Sequence, residues 1–161
     1  MNWKQLFDMQ KQLDNYIQAN HQLVNSDLFD QKVLALLVEI GELANETRVF
    51  KFWSNKAPSE MSQILEEYVD GLHFILSLGI EKGFQNIQVT PQPSNNNLTD
   101  MFNEVFEEVI VFKQKPSKEN YSNLFTAYLT LGKSLSFDES SIQQAYFDKN
   151  KVNHQRQDTG Y

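Results

Sequence analysis

The sequence predicts an all-α fold, a multi-helix bundle forming one domain over residues 1–161. Three observations predict it. Apolar residues recur at three- and four-residue steps along nearly the whole chain, the period of a helix with one buried face. Strand-like alternation is confined to Ile87–Thr90, too short to build a sheet. Proline, glycine and serine fall at helix-length intervals, where they stop one element and start the next.

Each element follows in order. Leu6, Met9, Leu13, Tyr16 and Ile17 form one stripe, which predicts a first helix over 3–20 with Asn2 as its cap. A second, dense in Leu, Val and Ala, is predicted over 28–50. Pro58 and Ser59 break the chain, and a third helix is predicted over 60–82, ending near Gly83. Pro91, Pro93 and a run of Asn make 85–97 a loop. Beyond it, helices are predicted over 98–114, 118–133 and 138–157, separated by Pro116–Ser117 and by Gly132–Ser136.

Composition narrows the function. With 161 residues and 40% hydrophobic side chains the chain has enough material for one core and needs no staples. The absence of cysteine excludes disulfides, thiolate zinc sites and cysteine nucleophiles. A net charge of −7 argues against nucleic acid as a partner, which would need clustered cations. No apolar run is long enough to span a membrane, and the N-terminus lacks a signal-peptide pattern, so a cytoplasmic protein is expected.

Four carboxylates carry the chemistry. Glu39 and Glu42 lie three apart in the second helix, and Glu67 and Asp70 three apart in the third. Each pair therefore leaves one helix face with Cβ atoms about 5–6 Å apart. An antiparallel return would let all four converge. An isolated pair of this kind ordinarily marks a solvated acidic face, and a helical interaction module is the matching alternative. Here the neighbours are apolar. Glu39 and Glu42 share their side with Ala35, Leu36 and Leu43, and Glu67 and Asp70 share theirs with Ile64, Gly71, Phe74 and Leu78. The opposite sides hold Leu34, Leu37, Leu65, Leu72 and Leu76, so both helices are expected to be buried nearly all round. Four acids in such surroundings repel and lose hydration unless cations compensate them. An all-oxygen set suits Mg²⁺, two or more ions, with Mn²⁺ able to substitute. Since Mg²⁺ shares its shell with phosphate oxygens, the set points to phosphate chemistry.

A polar stripe closes the chain. Tyr146, Lys149, Asn153 and Arg156 step by three and four residues along the last helix, followed by Gly160 and Tyr161. Cations in a final turn complement the helix dipole. A point-charge Lys, a forked Arg and a terminal Tyr hydroxyl also make a phosphate clamp.

The two acid pairs resemble those of the all-α nucleoside triphosphate pyrophosphatases, the superfamily of MazG-type enzymes and dimeric dUTPases. Gln10 with Asp14, Lys51-Phe-Trp53, and the tail from Lys149 to Gly160-Tyr161 resemble the dimeric dUTPases in particular, and the matches run from Gln10 to Tyr161. The resemblance implies that Glu39, Glu42, Glu67 and Asp70 hold Mg²⁺; a carboxylate at the metal's edge is expected to take the proton of the attacking water, and Glu39 is the candidate catalytic base. It implies that Gln10, with Asp14 beside it, reads the base and Trp53 packs near it, while Phe74 and Asn153 meet the sugar; His73, three residues past Asp70, either touches the base or satisfies a hydrogen bond in the core. Lys149, Arg156 and Tyr161 would hold phosphates, helped by Lys51 or Lys56. Asp14 is a departure, because some members carry Asn there, and a carboxylate only accepts where Asn also donates. The implied activity is hydrolysis of dUTP, and of dUDP, to dUMP by a homodimer. Another MazG-like pyrophosphatase acting on dCTP or a non-canonical nucleotide shares the same metal site.

Overall fold

Half of α3 is buried, so it is the helix around which the others gather. The computed structural model describes residues 1–161 as six helices and no strand. They are α1 (Trp3–Asn20), α2 (Phe29–Thr47), α3 (Met61–Lys82), α4 (Leu98–Gln114), α5 (Lys118–Ser134) and α6 (Glu139–Asp158). The all-α expectation holds, and no helix is long and apolar enough to cross a membrane.

Local chemistry sets the helix ends. The side chains of Asn2, Asn97, Ser117 and Asp138 accept from the backbone N–H three residues on, capping α1, α4, α5 and α6. Gly83, with φ of 74°, supplies the left-handed residue that closes α3. Arg48 does the same for α2 at φ 58°, which ends that helix short of the expected residue 50.

Cross-links fix the directions of the helices. Lys32 near the start of α2 pairs with Glu81 near the end of α3 at 2.7 Å, so these two run antiparallel. Gln10 meets His73 and Asp14 meets Ser77, so α1 and α3 run parallel. Met1 meets Glu139 and Gln10 meets Tyr146, which makes α6 parallel to α1.

Tyrosines lock α5 onto α3. Tyr68 and Tyr128 stack at 4.6 Å, and each hydroxyl donates to the backbone carbonyl of the other residue. Tyr121 donates to the Ile75 carbonyl at 2.9 Å. These hydroxyls reach the backbone because Gly71, Gly79 and Gly132 lack side chains, and a Cβ at any of them would collide with a tyrosine ring or hydroxyl. Leu36, Ile40, Leu72, Ile75, Val105, Phe112 and Phe125 fill the core between them.

One expectation is corrected. The second acid-bearing helix is well buried, but α2 is not buried all round: Leu34 is 63% exposed and Val38 51%. The apolar stripe is real, but within one chain nothing lies over it.

Candidate active site

A cavity of about 240 Å³ opens between α1, α3 and α6. Its walls carry ten of the residues singled out in the sequence: Gln10, Asp14, Glu39, Asp70, His73, Phe74, Lys149, Asn153, Arg156 and Tyr161. The parallel run of the three helices produces this convergence. Positions 10 and 14 of α1 face 73 and 77 of α3, and the stripe from Tyr146 to Arg156 on α6 closes the third side.

The acidic end is built where α2 crosses α3. One oxygen from each of Glu39, Glu67 and Asp70 lies within 4.8 Å of the others. Glu42 stands more exposed at the rim, close enough for its charge to raise both Glu39 and Glu67. Burial first, then repulsion from Asp70, Glu42 and Glu67, pushes the Glu39 carboxyl up to about 8. Burial and the neighbouring acids raise Glu67 as well. Glu39 Oε2 is buried without a hydrogen-bond partner. Three crowded carboxyls and an orphaned oxygen are what a hard cation would satisfy, and the donor set is all oxygen. The residues present therefore fit a divalent ion.

Lys149 is the local counter-charge. Its Nζ sits 2.7 Å from Asp70 and 2.8 Å from Glu66. Burial works against its charge, but the two carboxylates outweigh that and raise its pKa. The same contact lowers Glu66. Asp70 is still raised by burial, with Lys149 opposing. Glu66 carried no sequence signal, because its part depends on a helix 83 residues further along the chain.

At the other end lies a buried polar network. Gln10, Asp14 and His73 are 4%, 8% and 5% exposed. Gln10 donates to Asp14 at 2.8 Å and accepts from Tyr146 at 2.8 Å. Ser77 donates to Asp14 at 2.7 Å, and His73 Nδ1 lies 2.7 Å from the Gln10 carbonyl oxygen. Burial above all holds the His73 imidazole down to about 3, so it is neutral. The ring stacks on Tyr146 at 4.2 Å. Ser77 was not singled out in the sequence, although Asp70, His73 and Ser77 step by three and four along one face of α3.

The tail is seated against α1. Tyr16 bonds Asp158 and stacks on His154, His21 meets Gln157 at 3.0 Å, and the Arg156 guanidinium lies 5.1 Å from the Tyr161 ring. Lys51, Trp53 and Lys56 stand apart from the cavity, on a loop that Arg48 ties down through Ser54 and the Lys56 carbonyl. Trp53 is exposed there and packs edge-on to Phe52.

Comparison with curated proteins returned no match. A family model described as dUTPase matches residues 2–161, which takes in every residue of the cavity. The carboxylate cluster and this end-to-end match agree: the chain belongs to the all-α dUTPase family, whose members act on nucleotides.

Proposed function

We propose that this protein is a Mg²⁺-dependent dUTP diphosphatase that hydrolyses dUTP, and dUDP, to dUMP, so limiting uracil incorporation into DNA from the cytoplasmic nucleotide pool. The observation that carries the reading is the Glu39–Glu67–Asp70 cluster, with its orphaned Glu39 oxygen, opening onto a cavity that also holds Lys149 and Arg156.

Glu39, Glu67 and Asp70 would hold the ion from α2 and α3, with Glu42 at the rim. When bound, Mg²⁺ supplies charge neutralisation for the polyphosphate and lowers the pKa of an attacking water. Glu39 would take the proton from that water, since it lines the cavity with one oxygen that no protein group engages, and a bound cation would keep its carboxyl ionised and able to accept. Lys149 lies at the junction of cluster and cavity, and Arg156 and Tyr161 extend the cationic side away from it. Phe74, one turn beyond Asp70, offers a half-buried ring to the sugar, where a ribose 2′-hydroxyl would meet apolar surface. Asn153 supplies a polar group on the facing helix for the 3′-hydroxyl. Ser77 is the only serine or threonine on the cavity wall, and its hydroxyl is committed to Asp14 in the polar network at the end away from the acidic cluster, so direct attack by water is favoured over a covalent intermediate. Lys51, Trp53 and Lys56 reach substrate only if their loop moves or belongs to a second copy. A homodimer is supported by the exposed apolar residues Leu34 and Val38 on α2.

Comparison of dUTP, dCTP, dTTP and dITP hydrolysis in Mg²⁺ tests the reading. The highest kcat/KM is expected for dUTP, with pyrophosphate as co-product. A clear preference for dCTP or dITP would assign a related pyrophosphatase instead. No hydrolysis, together with a melting temperature indifferent to Mg²⁺ and nucleotide, would favour an interaction module.

A further inference from the structure

We infer that Tyr16, which lies outside the cavity, is a positioning residue: it docks the C-terminal end of α6 on α1 and so places Arg156 and Tyr161 for the phosphates of the substrate. The phosphates belong to the dUTP reading above, whereas the docking stands on contacts between the helices.

The end of α6 has no apolar anchor. The buried residues of that helix are Ile142, Tyr146 and Asn150, and nothing beyond Asn150 is buried. Yet Asn153, Arg156, Gln157 and Tyr161, all from this stretch, line the cavity. Helix ends fray, and a segment with few buried contacts opens at little cost unless something ties it down. Past Asn150, the side-chain hydrogen bonds and ring stacks that reach the rest of the chain come from Tyr16 and His21.

Tyr16 grips two positions at once. Its ring stacks on His154 with centroids 5.5 Å apart and planes at 27°, and its hydroxyl donates to Asp158. His154 and Asp158 are four apart, so they share one face of α6, and a single side chain spans a full turn of it. With that face held against α1, the neighbouring positions 153, 156 and 157 are kept on the cavity wall. Rotation of α6 about its axis, or unwinding of its last turn, would break both contacts. His21 adds a single bond to Gln157 at 3.0 Å.

The final turn carries Tyr161 with it. Gly160, at φ 76°, is the left-handed residue of a helix-closing turn. In that turn the Tyr161 N–H donates to the Arg156 carbonyl at 2.9 Å and the Gly160 N–H to the Gln157 carbonyl at 3.3 Å. This return sets the Tyr161 ring 5.1 Å from the Arg156 guanidinium. Arg156 and Tyr161 are therefore one unit, and Tyr16 holds the turn that bears it. If the unit were docked only about a tenth of the time, apparent affinity for its ligand would fall about tenfold.

A double-mutant cycle on dUTP hydrolysis in Mg²⁺ tests this. Tyr16→Ala is expected to raise KM about tenfold with kcat within about threefold, and Tyr16→Phe, which keeps the ring, to recover most of the loss. In an Arg156→Gln background, Tyr16→Ala is expected to cost less than about threefold more, because the guanidinium it places is gone. Amide hydrogen exchange in Tyr16→Ala is expected to quicken at residues 153–161 and to stay unchanged in α3. A KM within twofold of the parent, or the same loss with and without Arg156, overturns the positioning role and leaves the dUTP reading standing. If the parent chain hydrolyses no deoxyuridine nucleotide, that reading falls, and quickened exchange at 153–161 still upholds the docking. Unaltered exchange there overturns it.

Discussion

Glu39 shows how far a single residue can be read from a sequence. Its spacing from Glu42 puts both acids on one helix face, and the apolar neighbours imply that the face is not solvent. The structure adds what spacing cannot: Glu39 is the most crowded of the four, with its carboxyl raised to about 8 and one oxygen unpartnered. Glu39→Gln keeps the shape and removes the charge. The variant is expected to fold, bind nucleotide and lose about 10²–10⁴ in kcat, the usual worth of a positioned proton acceptor. Turnover within twofold of the parent would exclude Glu39 as the base. Other residues were legible only in part. Spacing marked Asp14 and His73 as candidates, but the direction of their hydrogen bonds depends on partners from other helices, Ser77 for Asp14 and Gln10 with Tyr146 for His73. Such polarity is a tertiary property, and no local spacing encodes it.

Helices were the most legible feature, since a capping Asn2 or Ser117 and a closing Gly83 act within a few residues. Their faces were less so. Periodicity marks the α2 stripe as apolar but cannot say whether another helix covers it, and Leu34 and Val38 are left exposed. Glycines inside α3 and α5 likewise look like weak points in a helix until their partners are known. At Gly79 the partner is Tyr121, whose hydroxyl reaches the Ile75 carbonyl through the space a side chain would fill. Gly79→Ala raises helix propensity yet forces Tyr121 out of place. It is expected to destabilise the protein by about 1–3 kcal/mol, the usual cost of overpacking, measured by urea denaturation. An unchanged or higher denaturation midpoint would show that the tyrosine contact does not hold α5 to α3.

Across the whole molecule, opposing titrations shape stability. His73 is neutral in the fold down to about pH 3 but protonates near 6.5 when unfolded, so acidification through that window favours unfolding. Glu39 has the opposite sign. Its folded pKa of about 8 lies above the ordinary 4.5, so its contribution is full in acid and is lost as pH rises toward 8. Between about 4.5 and 6.5 the two effects cancel, one proton against one, and above 6.5 only the loss remains. Glu67 and Asp70 are raised as well and deepen that loss. A divalent cation would take the place of the proton. The most direct measurement is therefore the melting temperature from pH 5 to 9, in chelator and in saturating Mg²⁺. In chelator a shallow decline from pH 5 that steepens between about pH 6.5 and 8 is expected. Mg²⁺ at about 100 times its Kd should raise the alkaline limb by roughly 5–10 °C for a chain of this size and remove the decline. Identical curves with and without Mg²⁺ would mean that the carboxylates between α2 and α3 hold no cation, and the proposed chemistry would fall with them.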